Sequence, residues 1–173
     1  IKLRDFLSSL RDDSSLSDGP IIDVHGNLLG YHDGLEHFTI GQRHGIKIGG
    51  GLPYYVVGKN PKTNELVVAL GENDPALLSH ALVTEKPTWT SGLAPKFPFE
   101  ADVVIRYHHK PTRALVSKKG SGLEIAFEKA EKAITPGQFA VFYQGDELIG
   151  SAVIKEAVAE KKFETSNYHG AFL

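Results

Sequence analysis

Cysteine is absent from all 173 residues of this chain. Disulfides, cysteine–zinc sites and thiolate nucleophiles are thereby excluded. Methionine is missing as well, even from position 1, so a processed product or part of a longer protein is expected. No run of about 18 apolar residues occurs, so no transmembrane helix is expected. The first residues lack the charged, apolar, then small order of a secretory signal, and a cytoplasmic location without membrane contact is the expectation. Acid is missing in places. Residues 37–63 carry Arg43, Lys47, Lys59 and Lys62 with no Asp or Glu. Residues 103–122 carry Arg106, Lys110, Arg113, Lys118 and Lys119, again with none. Nine of the nineteen Lys and Arg side chains therefore sit in two short windows, although the net charge is only −2. Residues 1–36 lean the other way, with seven acids against Lys2, Arg4 and Arg11. Basic windows of this kind attract polyanions even on a slightly acidic protein.

The first basic window contains the most distinctive stretch, Thr39-Ile40-Gly41-Gln42-Arg43-His44-Gly45-Ile46-Lys47-Ile48-Gly49-Gly50-Gly51. Its five glycines permit sharp turns and close approach of backbone to a ligand. Arg43 and Lys47 supply charge for phosphate. The stretch is neither Gly-x4-Gly-Lys-Ser/Thr nor Gly-x-Gly-x-x-Gly after a strand. A backbone nest for phosphate and an irregular loop using glycine only to turn both remain open.

Leu3, Phe6, Leu7 and Leu10 fall on one helical face, which predicts a short helix over 2–11. A polar linker follows to Gly19-Pro20. The rest reads as β. Strands are predicted over 20–24 and 28–32 about a turn at His25-Gly26-Asn27, then over 53–58 and 65–70 about Asn60–Asn64. Asp74-Pro75 predicts the capped start of one helical turn, and 82–84 another strand. Residues 87–98, with three prolines and Trp89, mark an expected boundary. Strands resume at 99–107, 114–117, 123–127, 139–143 and 148–154, the spacing of a small barrel or sandwich. Ala157–Lys162 has some helical character.

Most catalytic templates fail. There is no Gly-x-Ser-x-Gly elbow and no His-Glu-x-x-His. Adjacent histidines such as His108-His109 point to opposite faces of a strand and do not readily share an ion. Nucleic-acid binding fits better. Arg106 and Lys110 offer phosphate contacts, and Tyr107 a stacking face for an unpaired base. Strand alternation puts Arg106 and His108 on one face and Tyr107 and His109 on the other. A purely structural reading instead puts Tyr107 in the barrel core and Arg106 on a solvated edge. The tight turn Thr135-Pro136-Gly137-Gln138 ends in an amide able to read backbone or base edges.

These stretches, in order, resemble the C-terminal part of bacterial tRNA-specific 2-thiouridylases. The resemblance rests on Phe6-Leu7, Gly30-Tyr31-His32-Asp33-Gly34-Leu35, Thr39-Ile40-Gly41-Gln42-Arg43-His44-Gly45 and Ile48-Gly49-Gly50-Gly51. It continues through Tyr55-Val56-Val57-Gly58, Asn64–Val68, Trp89, Ile105-Arg106-Tyr107, Thr135-Pro136-Gly137-Gln138 and Val141–Asp146, roughly residues 3–154. It implies a mainly β chain in three parts. These are a helix and linker (1–19), a central β domain (20–90) and an elongation-factor-like β-barrel with a tail (91–173). It also implies that a separate catalytic domain, using ATP with magnesium, thiolates the wobble uridine of tRNA with sulfur from a carrier protein. No cofactor is then expected in this chain, which would be inactive alone and would hold tRNA near its anticodon. Arg106, Tyr107 and Gln138 match tRNA-contacting positions of the family. Lys110, Arg43, Lys47 and Gln42 are added from the basic windows. Two alternatives remain: a protein-docking β module that touches no RNA, and a phosphate- or nucleotide-binding enzyme built on Gly41–Gly51.

Overall fold

The computed structural model describes residues 18–107 and 109–158. The helix expected over 2–11 lies outside them. The chain divides into two compact units, 1–77 and 78–173.

In the first unit, β1 (Gly19–Asp23), β2 (Leu28–His32), β3 (Tyr54–Asn60) and β4 (Glu65–Leu70) form one sheet in the order β2-β1-β4-β3. β1 and β4 are parallel and the other pairs antiparallel. The β1–β2 turn is held by one carboxylate. Asp23 accepts hydrogen bonds from the Asn27 side chain and from the backbone N–H groups of Asn27 and His25, each at 2.8 Å. These bonds, led by that of the Asn27 side chain, hold Asp23 below its ordinary value. Ile21, Val56, Leu66 and Val68 close the sheet's inner face with Phe38 from the loop beyond β2. His32 is buried there and used at both ring nitrogens. Nε2 lies 2.9 Å from the Asn64 carbonyl, and Nδ1 accepts from the Gly34 N–H at 3.0 Å. The second bond fixes the tautomer with Nε2 as donor.

The second unit contains β5 (Leu78–Thr84), β6 (Thr88–Trp89), β7 (Phe99–Val104), β8 (Thr112–Lys119), β9 (Gly122–Lys132), β10 (Phe139–Gln144) and β11 (Glu147–Val158). Six strands run β10-β7-β8-β9-β5-β11, and β10–β11 pairing closes the ring; β6 is added on β11. The period-two pattern sends Ala101, Val103, Ala114, Val116, Ile125, Phe127, Ala140 and Phe142 inward, all of them buried. Alternation of alanine with larger side chains fits the narrow interior of a small barrel. Shifts of register in β5 and β11 bend the long strands around it.

Two expectations change. The units divide between Leu77 and Leu78, ahead of the break expected after 90, because β5 pairs with β9 and β11 and so belongs to the barrel. The proline-rich stretch is thus part of the second unit, with Trp89 packed against Phe97, Phe99 and Phe142. Ala157 and Val158 continue strand β11 rather than start a helix, and the rest of that expected helix lies outside the described residues.

Candidate nucleic-acid interface

β7 ends at Val104, so strand alternation does not govern the residues that follow. Arg106 is half-buried, and Tyr107 is 90% exposed. The purely structural reading, with Tyr107 in the core and Arg106 solvated, is inverted, and His108 of the alternation reading lies outside the described residues. Past the strand end, the Arg106 guanidinium turns back and donates from Nη2 to the Ala133 carbonyl and, at 3.4 Å, to Thr135 Oγ1. Ala133 sits just past the end of β9 with φ of 52°, a left-handed conformation that costs a non-glycine residue roughly 1–2 kcal/mol. Arg106 therefore clasps the sharp bend that leads into Thr135–Gln138. Burial pulls its guanidinium below its ordinary value, and the nearby Glu131 carboxylate opposes that shift. Glu131 is itself buried, accepts from the Thr112 hydroxyl, and lies 3.6 Å from His109 Nδ1.

The clasp brings together residues far apart in sequence. Arg106, Tyr107, Gln138, Phe139, Val141 and Tyr143 line an open groove of about 660 Å³. Gln138 is fixed through its backbone, accepting from Ile154 N–H at 2.7 Å, and its side chain is exposed. Phe139 is 57% exposed. Lys110 is exposed on the β7–β8 connection. Arg106 carries positive charge in the groove, and Tyr107 and Phe139 offer aromatic faces. Phe139 and Tyr143 were not singled out from the sequence, although Phe139 directly follows the Thr-Pro-Gly-Gln turn.

The glycine-rich stretch of the first unit forms a loop against β3. Gly41 N–H donates to Val56 O at 2.7 Å, and Val56 N–H returns a bond to Gln42 O at 3.0 Å. The Gln42 side chain braces the loop from inside, accepting from Thr39 N–H at 3.0 Å and donating to His44 O at 2.7 Å. Arg43 is exposed and lines a small pocket of about 160 Å³ with Ile46, Ile48 and Tyr54. Lys47 pairs with Asp33 at 3.0 Å. The window that lacks acid in sequence thus acquires one in space. Arg113 likewise meets Glu100 and Asp102, and Lys119 meets Glu124. Exposed pairs of this kind are worth roughly 0–1 kcal/mol and can be traded for a phosphate. Among the described residues no carboxylate is ion-paired with Arg43 or Lys110. No group of three potential metal ligands occurs among them either.

Two family profiles match in sequence order. The tRNA methyl transferase PRC-barrel domain covers residues 4–70, and the aminomethyltransferase beta-barrel domain covers 79–154. Together with the ring of strands, they define the class: a tandem of small β domains from tRNA-modifying enzymes. Among curated proteins, the chain is 40% identical to tRNA-specific 2-thiouridylase MnmA 1 of Geobacillus kaustophilus over 90% of its own length and 43% of that protein's. It is 40% identical to the MnmA 2-thiouridylase of Blochmanniella floridana over 87% of the chain and 42% of that protein. Against that of Carboxydothermus hydrogenoformans it is 38% identical over 88% and 41%. The chain belongs to the tRNA-specific 2-thiouridylase family, and it spans less than half the length of these relatives.

Proposed function

We propose that this chain is the tRNA-holding portion of a tRNA-specific 2-thiouridylase, a cytoplasmic enzyme that uses ATP with magnesium to put sulfur on the wobble uridine. The observation that carries the reading is the groove at the end of the barrel. Charge from Arg106, the aromatic faces of Tyr107 and Phe139, and the Gln138 amide converge there, with Lys110 exposed on the adjoining β7–β8 connection. Lysine and arginine neutralise phosphates, exposed rings stack on unpaired bases, and an amide reads sugar or base edges. Arg43 and Lys47 add phosphate contacts in the first unit, with Lys47 exchanging Asp33 for RNA. Gln42 acts on RNA through the loop it braces. Anticodon-region RNA is the expected ligand.

The sulfur chemistry is assigned elsewhere in the longer protein. A persulfide relay needs a thiolate, and this chain has no cysteine. ATP with magnesium does not fit the glycine loop either, since the loop lacks the Lys-Ser/Thr of a phosphate-binding turn. Sulfur from a carrier protein would therefore be received outside these residues. The test is a titration of anticodon stem-loop RNA with this chain across a KCl series. Affinity falling steeply with salt supports the reading, with each phosphate contact contributing roughly 0.7–0.9 to the log–log slope. Binding that is absent or flat in salt overturns it and favours a protein-docking module.

A further inference from the structure

A second groove lies at the opposite end of the β7–β8 hairpin. Its walls are the proline-rich stretch and the β8–β9 turn, and its volume is about 520 Å³. Lys86 and Lys118 line it and are exposed; Trp89 and Phe97 also line it. No Asp or Glu is among its lining residues. The neighbouring hollow shares Lys86 and the turn but mixes in Glu85 and Glu156. Among the described residues neither Lys86 nor Lys118 is ion-paired, although Glu85 and Glu156 share the neighbouring hollow with Lys86.

We propose that this groove is a second RNA-backbone site, taking the phosphates of the same tRNA that occupies the Arg106 groove; it rests on the function proposed above. Three features fit a phosphodiester strand. The two lysines are exposed point charges on flexible stems, neither of them ion-paired among the described residues, and suited to phosphate. The β8–β9 turn that follows Lys118 brings Ser121 to the groove wall and so offers a hydroxyl. Among the described residues no acceptor takes the Trp89 indole N–H, and that atom is not sealed from solvent, so a donor is left for a phosphate or sugar oxygen. The eight residues of β8 separate the two ends of the hairpin by about 25 Å at roughly 3.3 Å per residue. RNA reaching both grooves must therefore span at least about that distance.

Trp89 is the only tryptophan, so all tryptophan emission comes from this groove's wall. The experiment titrates an unmodified tRNA transcript into the full chain, reading transcript anisotropy and tryptophan emission together across a KCl series. The expected result is a change in emission that tracks binding. Lys86→Gln/Lys118→Gln should remove that change and flatten the log–log salt slope by about 1.4–1.8. Lys86→Arg/Lys118→Arg should restore both. Both lysines are exposed, so the thermal midpoint should be unaltered in every variant. Transcript binding with unchanged emission, or with an unaltered slope in the glutamine variant, overturns the second site while leaving the tRNA reading intact. No transcript binding at low salt overturns both.

Discussion

At the scale of single residues, Arg106 has a structural role in addition to the RNA contact proposed for it. Its guanidinium is bonded to the Ala133 carbonyl and the Thr135 hydroxyl before any ligand arrives. Arg106→Ala should therefore lower stability by about 1–3 kcal/mol, the usual cost of losing a charged hydrogen bond and stranding its partners, and weaken tRNA binding too. Denaturant unfolding alongside RNA titration measures both. Tyr107→Ala separates them. The side chain is 90% exposed, so stability should move by less than about 0.5 kcal/mol. Loss of a stacked base should cost binding about 1–3 kcal/mol. Asp23 gives a pH prediction. Hydrogen bonds led by that of the Asn27 side chain keep its folded value below the ordinary 3.8. Its ionised form therefore favours the β1–β2 turn at every pH above 3.8, and that support is lost as pH falls through the lower folded midpoint. A carboxyl NMR titration should put the Asp23 midpoint below 3.8, and Asn27→Ala should move it up.

At the scale of elements, most strands were legible because period-two burial is written directly into sequences such as Ala114–Ser117 and Phe139–Tyr143. Where legibility failed, the cause was distance along the chain. Arg106 reads as a strand residue until β9's bend supplies a carbonyl 27 positions away. Lys47 reads as unopposed until the fold delivers Asp33. Leu78–Thr84 carries a clear strand pattern, but its partners in β9 and β11 come much later. The glycine stretch reads as a ligand loop, whereas in the fold the Gln42 side chain is spent on bracing it. Gly122 illustrates a constraint that sequence concealed entirely. A Cβ there would lie 2.0 Å from the Thr84 carbonyl oxygen, because β9 starts hard against the end of β5, where Thr84 Oγ1 also accepts from Leu123 N–H at 3.1 Å. Gly122→Ala should push these strands apart and cost more than about 2 kcal/mol, a steric conflict of the kind behind the large values in mutational surveys. Thermal unfolding provides the check, with the open-space site Gly120→Ala as comparison: it meets no clash, and its φ of 61° carries only the left-handed penalty.

At the scale of the molecule, each unit has its own core. One is built from Ile21, Val56, Leu66 and Val68 with Phe38, the other from side chains between Leu82 and Ile154. Residues 78–158 should accordingly fold when expressed alone. Near-ultraviolet circular dichroism from Trp89 among its aromatic neighbours, and one cooperative transition, are the expected readouts. The two units differ in one respect that bears on handling the protein. The barrel's backbone ladder returns to its own beginning through β10 and β11, whereas among the described residues the four-stranded sheet stops at β2 on one side and β3 on the other. Leu28 and Tyr31 are exposed on β2, at 56% and 61%. An open rim bearing greasy side chains invites another molecule to dock strand to strand. Precipitation in concentrated or heated samples should thus begin with intermolecular pairing along β2, and a lysine in place of Leu28 should delay it.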